Sequence, residues 1–240
     1  IQRKDISTNS VFSFAKLLSS NTAPEVKANC LVVLCDLNVE YSLMVKSHIP
    51  VMTDCLADRN NAVRRQALNV ITQLIVDDYI KMDSLFFFRF LHSVTDKNPE
   101  IAEFAKCCLF NVIYAKYPDI LTKYFVDSLM YFSESGQLLT LDETRESHEK
   151  FKMSPGRRLS AYKLIITRMS EPSVFKLIQD VFTRVIDRFV SGEYKLREQS
   201  DLLRDVLLSL HLMEDKLQNM TKLDSTTDDT ADKTIEAAKI

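Results

Sequence analysis

The chain has 240 residues, 46% hydrophobic and 27% charged, enough to bury a sizeable core in one large domain or a run of small units. A formal net charge of −2 excludes the overall basic field that captures nucleic acid wholesale, while leaving room for local basic patches. Three glycines are too few for a protein of hairpin turns and bulges, so helices joined by short polar corners are expected.

Five cysteines (Cys30, Cys35, Cys55, Cys107 and Cys108) form no C-x-x-C pair. Their odd number fits reduced thiols acting as small hydrophobes in a cytosolic or nuclear protein. No apolar run approaches the roughly 18 residues that span a bilayer, and no signal peptide opens the chain. Because the first residue is Ile1 rather than methionine, the chain is expected to be a fragment of a longer protein.

In chain order, one spacing occurs three times. "NTAPEVKANC" (21–30), "DRNNAVRRQA" (58–67) and "DKNPEIAEFA" (96–105) open on Asn21, Asp58 and Asp96. Five residues later come Val26, Val63 and Ile101, and four further on Cys30, Ala67 and Ala105. Helical steps continue through Leu34, Ile71 and Leu109 to Leu37, Leu74 and Val112. A period of roughly 37 residues with matching apolar positions is the mark of a helical solenoid. Each opening Asn or Asp is expected to cap the coming helix, and Pro24 and Pro99 suit its first turn. The stripes through Val26, Val63 and Ile101 are expected to face neighbouring repeats, with the small residue allowing close approach.

The partner helices are predicted between these stretches, at 40–56, 83–94 and 119–132, with Pro50 bending or interrupting the first. Residues 133–156 are polar, mixed in charge and hold two of the three glycines, and read as a long loop or insertion. Helices are expected to resume at 157–169 and 172–190, to run from about Leu196 to Met220, and to end with a short helix in 225–240. The expected organisation is therefore three repeats over 1–133, a polar loop or insertion over 134–156, and less regular helical repeats over 157–240.

The offsets of Asp58, Val63, Arg64 and Ala67 resemble the HEAT repeat, whose second helix follows an acid and carries a V-R pair. In that family the acid and arginine of successive repeats form a bonded ladder. Here only Asp58 and Arg64 carry the full pair; Lys27 replaces the arginine in the first unit and Ala102 lacks the charge in the third. A continuous ladder is not expected.

Residues 63–113, through "VRRQAL", "DDYIKMDSLFFFRFL" and "NPEIAEFA", are similar to the HEAT-repeat D-type subunits of condensin. The "SLFFFRF" segment favours the D-three type of condensin II over condensin I. The later "GRRLSAYKLIITRM" and "IDRFVSG" carry the same resemblance more weakly. It implies an all-α HEAT-repeat solenoid of stacked antiparallel helix pairs, acting as a non-enzymatic scaffold in mitotic chromosome condensation. The implied partners are a kleisin chain, SMC ATPase heads and chromosomal DNA, and the implied location is the nucleus. The alternatives are another HEAT adaptor (a condensin I D-type subunit, a transport receptor or a phosphatase scaffold) and a module that mainly binds DNA.

Nothing in the residues argues for an enzyme. There is no G-x-x-x-x-G-K-[ST] loop, G-x-S-x-G elbow or H-E-x-x-H. His48, His92, His148 and His211 lie far apart, so no metal, cofactor or small-molecule substrate is expected. "ESHEK" (146–150) reads as solvated. In "SLFFFRFL" (84–91), Phe86, Phe87 and Phe90 recur at core spacing, and Phe88 is the candidate for a repeat–repeat or partner contact. "SPGRR" (154–158) fits a proline-directed kinase site at Ser154, and equally a serine N-cap followed by proline. Candidate DNA contacts are Arg157, Arg158 and Lys163 on one helix and Arg65 on another, Arg64 being expected to pair with Asp58.

Overall fold

A computed structural model describes the backbone of residues 2–133 and 144–237, and the side chains of 10–133 and 144–219 apart from 39, 40 and 44. Every regular element among these residues is helical. The first helices are α1 (Gln2–Ser19), α2 (Pro24–Lys46), α3 (Ile49–Asp54), α4 (Asn61–Val76) and α5 (Ser84–Val94). Then α6 (Pro99–Lys106) runs through a π-helical stretch, Cys107–Ile113, into α7 (Tyr114–Lys116). They are followed by α8 (Ile120–Phe132), α9 (Arg145–Lys150) and α10 (Pro155–Arg168). Next, α11 (Glu171–Val181) passes through a π stretch, Phe182–Ile186, into α12 (Asp187–Val190), and α13 spans Ser200–Ala237.

The helices stack in two layers. One layer runs from α1 to α3, then through the short turn Cys55–Ala57 to α5, α8 and α11. The other runs through α2, α4 and α6, whose π continuation meets α10 through Arg168 over the Phe110 ring, and on to α13. Across the layers α1 pairs with α2, α3 with α4, α5 with α6, α8 with α10 and α11 with α13. This is the α-solenoid that the spacing predicts, with each pair burying its apolar face on its neighbours. The core is continuous from Val11 to Met213.

The repeating stripe is inside at most positions. Val63, Ala67, Ile71, Ile101, Ala105 and Leu109 are all buried, as are Cys30 and Leu34. Val26 is the exception, 40% exposed. In its layer α4 lies between α2 and α6, whereas α2 has α4 alone beside it. The position that Val63 fills against a preceding helix therefore has no such wall at Val26. Val112 is also exposed and Ile113 takes its place inside. The π stretch widens the turn there, so the inward face moves on by one residue.

Several local expectations are corrected. The helix predicted at 40–56 is two: α2 continues to Lys46 with a kink at Tyr41, and Pro50 sits in the first turn of α3. Proline belongs there because that turn has no use for its missing N–H. The acids do not cap. Asn60 accepts from the N–H of Ala62, and Asn98 from those of Glu100 and Ile101. Asp58 and Asp96 sit two residues earlier and accept from Asn60 N and Asn98 N, each at 2.8 Å, fixing the turn before the cap. For α2 the cap position is Ala23 rather than Asn21, with no side-chain bond. Of the loop expected at 133–156, residues 134–143 lie outside the described residues, but 145–150 form α9. Helix α13 continues to Ala237 without a break where the separate final helix is expected to begin, near 225.

Candidate functional site

The turns that join the two layers line up along one edge of the stack, and the polar chemistry of the molecule concentrates there. The motif D-x-N builds two of these turns, at 58–60 and 96–98. Lys27 Nζ reaches Asp58 Oδ2 at 3.0 Å, and Arg64 holds Asp96 with Nε to Oδ2 and Nη2 to Oδ1, both 2.8 Å. Each cation thus pairs with the acid of the following unit. The expectation that Arg64 pairs with the Asp58 carboxylate is corrected: its Nη1 donates instead to the carbonyls of Asp58 and Arg59, at 2.9 and 3.2 Å. Nη2 also donates to Asn61 Oδ1 at 2.8 Å. All five N–H groups of Arg64 are then used, a pattern that only a guanidinium can satisfy. The ladder has two rungs and stops at Ala102, which carries no charge.

Farther along the edge, α10 delivers two arginines inward. Arg158 is buried and holds Asp205 of α13, Nε to Oδ2 at 2.5 Å. Burial works against its charge, but the bonds to Asp205 outweigh that and hold the guanidinium above its usual basicity. Arg157 donates from Nε to the Thr95 carbonyl at 3.1 Å and from Nη2 to the His92 carbonyl at 2.9 Å. Burial, with Arg64 nearby, lowers its pKa. Arg158 is buried and so is not presented to a DNA strand, which corrects its selection as a contact; Arg157 is half-buried and lines the groove between the turns. Arg65 and Lys163 are exposed, Arg65 lying over the Phe104 ring at 5.0 Å.

The insertion contributes a centre that sequence reasoning missed. Arg89 of α5 is almost fully buried and donates to Ser147 Oγ at 2.7 Å, to Thr53 Oγ1 and to the Pro50 carbonyl. It pairs with Asp54 at 3.1 Å and lies over the Phe151 ring at 4.9 Å. Ser147 donates onward to Asp54 at 2.6 Å, and Lys150 closes on Asp54 at 3.2 Å. Helix α9 is thus strapped across α3 and α5, and "ESHEK" is not simply solvated. The signal was an arginine inside an apolar aromatic run, which only a buried partner set makes tolerable.

Phe88 is buried rather than free for a partner. It stacks on Tyr131 at 4.3 Å between ring centroids, joining α5 to α8. Phe86 is only half-buried, while Phe87 and Phe90 are in the core. Ser154 is exposed at the N-cap of α10 and its side chain makes no capping bond. His92 is buried beside Phe151, and desolvation, aided by Arg157, lowers its pKa to about 3, so the ring is neutral. Burial pushes Cys55 up to about 12, leaving an inert thiol. Among the described residues no group of three or more His, Cys, Asp or Glu is placed to hold a metal, and no helix is long and apolar enough to cross a membrane.

The turns enclose two adjoining grooves. A larger one, about 920 Å³, lies between the 19–24 and 54–60 turns and is closed on one side by α9. A smaller one, about 410 Å³, lies between the 57–59 and 95–97 turns. Stacked turns with grooves between them form an extended polar edge. Over residues 25–184 the sequence matches the family described as non-SMC mitotic condensation complex subunit 1. The chain belongs to that family. It is similar to condensin-2 complex subunit D3 of Mus musculus, 25% identical over 228 residues, covering 92% of this chain and 15% of the relative. Subunit D3-L of Xenopus laevis is 26% identical over the same length and shares. Subunit CAP-D3 of Arabidopsis thaliana is 23% identical over 219 residues, covering 82% of this chain and 17% of its own length. The chain therefore spans a small part of the curated relatives it matches. No solved structure matches it.

Proposed function

We propose that the chain is a segment of the D-type subunit of condensin II and works as a non-enzymatic scaffold in mitotic chromosome condensation. It would hold a kleisin chain beside the SMC heads on chromosomal DNA in the nucleus. The observation that carries this reading is the coincidence of the family match with the stacked pairs and their polar edge. A stack of this kind offers an extended surface to an elongated peptide and needs no cofactor. Affinity capture tests it: kleisin fragments presented in solution should be retained by the immobilised chain at physiological salt. If DNA is retained and no kleisin fragment is, the scaffold assignment fails.

A mainly DNA-binding role has Arg65 and Lys163 as its remaining exposed candidates. If it operates, affinity falls steeply with salt and the double reversal Arg65→Glu, Lys163→Glu flattens that slope. An unchanged slope clears both residues. Ser154 stays a candidate modification site, because it is exposed and leaves its own cap bond unmade. Ser154→Glu should change chromosome loading or partner affinity if phosphate acts there.

A further inference from the structure

The smaller groove keeps positive charge that the fold does not neutralise. Arg59, Arg64, Lys97, Lys150 and Arg157 line it, against only the carboxylates of Asp58 and Asp96. Both carboxylates are already engaged, by Lys27 and by Arg64, and Lys150 is itself held by Asp54 and Glu146. Arg157 spends its donors on backbone carbonyls. Arg59 and Lys97 are exposed, and no carboxylate among the described residues pairs with either. His92 forms part of the wall; it is about nine-tenths buried, and its Nδ1 has no hydrogen-bond partner. Like charges held together on two rigid turns, with a buried polar atom unsatisfied beside them, favour an anionic group in the groove.

The shape decides which anion. About 410 Å³ accommodates a few side chains and not a duplex. In the grooves on either side the acids and cations are matched, Glu103 by Lys106 and Asp54 and Glu146 by Lys150. The unpaired cations Arg59 and Lys97 both line this groove, which confines the uncompensated charge to the length of a short anionic stretch.

We propose that the groove between the 58–60 and 96–98 turns docks a short segment rich in Asp and Glu from a protein partner, with Arg59 and Lys97 as its charged rim. The proposal rests on the scaffold reading for there being a peptide partner, and on the groove alone for where that partner sits. Rim charges of this kind set encounter rate and salt dependence while the buried set fixes position.

The test uses the intact chain and a fluorescein-labelled oligoglutamate peptide, read by anisotropy at low and physiological salt. The unaltered chain should bind it, more weakly as salt rises. Arg59→Glu with Lys97→Glu should weaken binding roughly tenfold or more, while Lys176→Glu, an exposed reversal on α11, should leave it unchanged. The site is overturned if the chain does not bind the peptide, if both variants weaken binding alike, or if a DNA duplex of equal charge displaces the peptide more readily than unlabelled peptide does. Capture of kleisin fragments is measured on the same variants. Capture by every variant without peptide binding removes the groove and leaves the scaffold, whereas peptide binding without capture removes the scaffold alone.

Discussion

Between α2 and α6 the joints are closed by one device used twice, a D-x-N turn whose acid is held by a cation from the preceding unit. Between α10 and α13 the joint is closed by the buried pair of Arg158 with Asp205, and by Lys216 of α13, which donates to the carbonyls of Ile166 and Thr167 at the end of α10, with no repeated turn motif around either. The forward device fixes spacing, so it repeats and can be read from the chain. The rear contacts are each made once, so their partners can lie anywhere that the fold brings together. The buried pair carries the greater penalty when half of it is removed, because the surviving charge has no water to turn to.

The most severe break of that comparison is Arg158→Ala. It leaves the buried Asp205 only the longer contact to Arg204, at 3.7 Å, and should cost about 3 kcal/mol in urea unfolding. Replacing both partners, Arg158→Met with Asp205→Leu, should recover most of the loss, since the pair's own net contribution is small. A double variant as unstable as the single one would show that the pair is needed for packing and not only for charge balance.

Stripe positions sharpen the contrast next. Ile101→Ala removes a side chain 3% exposed and should cost about 2–5 kcal/mol. Val26→Ala, at the matching offset, should change stability by less than roughly 0.5 kcal/mol. Equal costs would mean that Val26 is covered in solution.

The edge also responds to acid. His92 has a folded pKa of about 3, below its unfolded value of 6.5, so the unfolded chain takes up the proton first. The stabilisation is complete above about pH 6.5 and fades as pH falls towards 3, with a loss of about 2 kcal/mol between pH 7 and 5. Unfolding curves of His92→Gln should lack this part of the pH dependence. A variant with the same slope would assign it to other groups.

What was legible in the chain follows from what recurs. Asp58, Val63 and Ala67 with Asp96, Ile101 and Ala105 keep a register because stacked helices must, and that register exposed the helix pairs. Val26 misled because its spacing is right while no described helix lies beyond α2 in its layer, and burial depends on such a neighbour. Val112 misled because a π stretch shifts the face, and no residue pattern announces it. Arg64 was paired with the nearer acid in sequence, but a side chain that long reaches the next turn. Arg89, Ser147 and Asp54 were invisible as a group, since nothing in their spacing brings an inserted helix back over α3 and α5.

The two forward rungs differ in a way that gives the smallest prediction and the finest test of the device. Lys27 and Asp58 are each 16% exposed, whereas Arg64 and Asp96 are 4% and 5% exposed. Water still solvates the first rung, so Lys27→Ala should cost at most about 1 kcal/mol and less at high salt. Lys27→Arg should restore it, because a guanidinium adds a second donor towards the Asp58 carboxylate. The reverse exchange, Arg64→Lys, should not be tolerated in the same way: one ammonium has three donors for the five bonds that Arg64 makes. If thermal unfolding ranks the two lysine–arginine exchanges equally, the rungs are interchangeable surface pairs and the turn geometry alone spaces the stack.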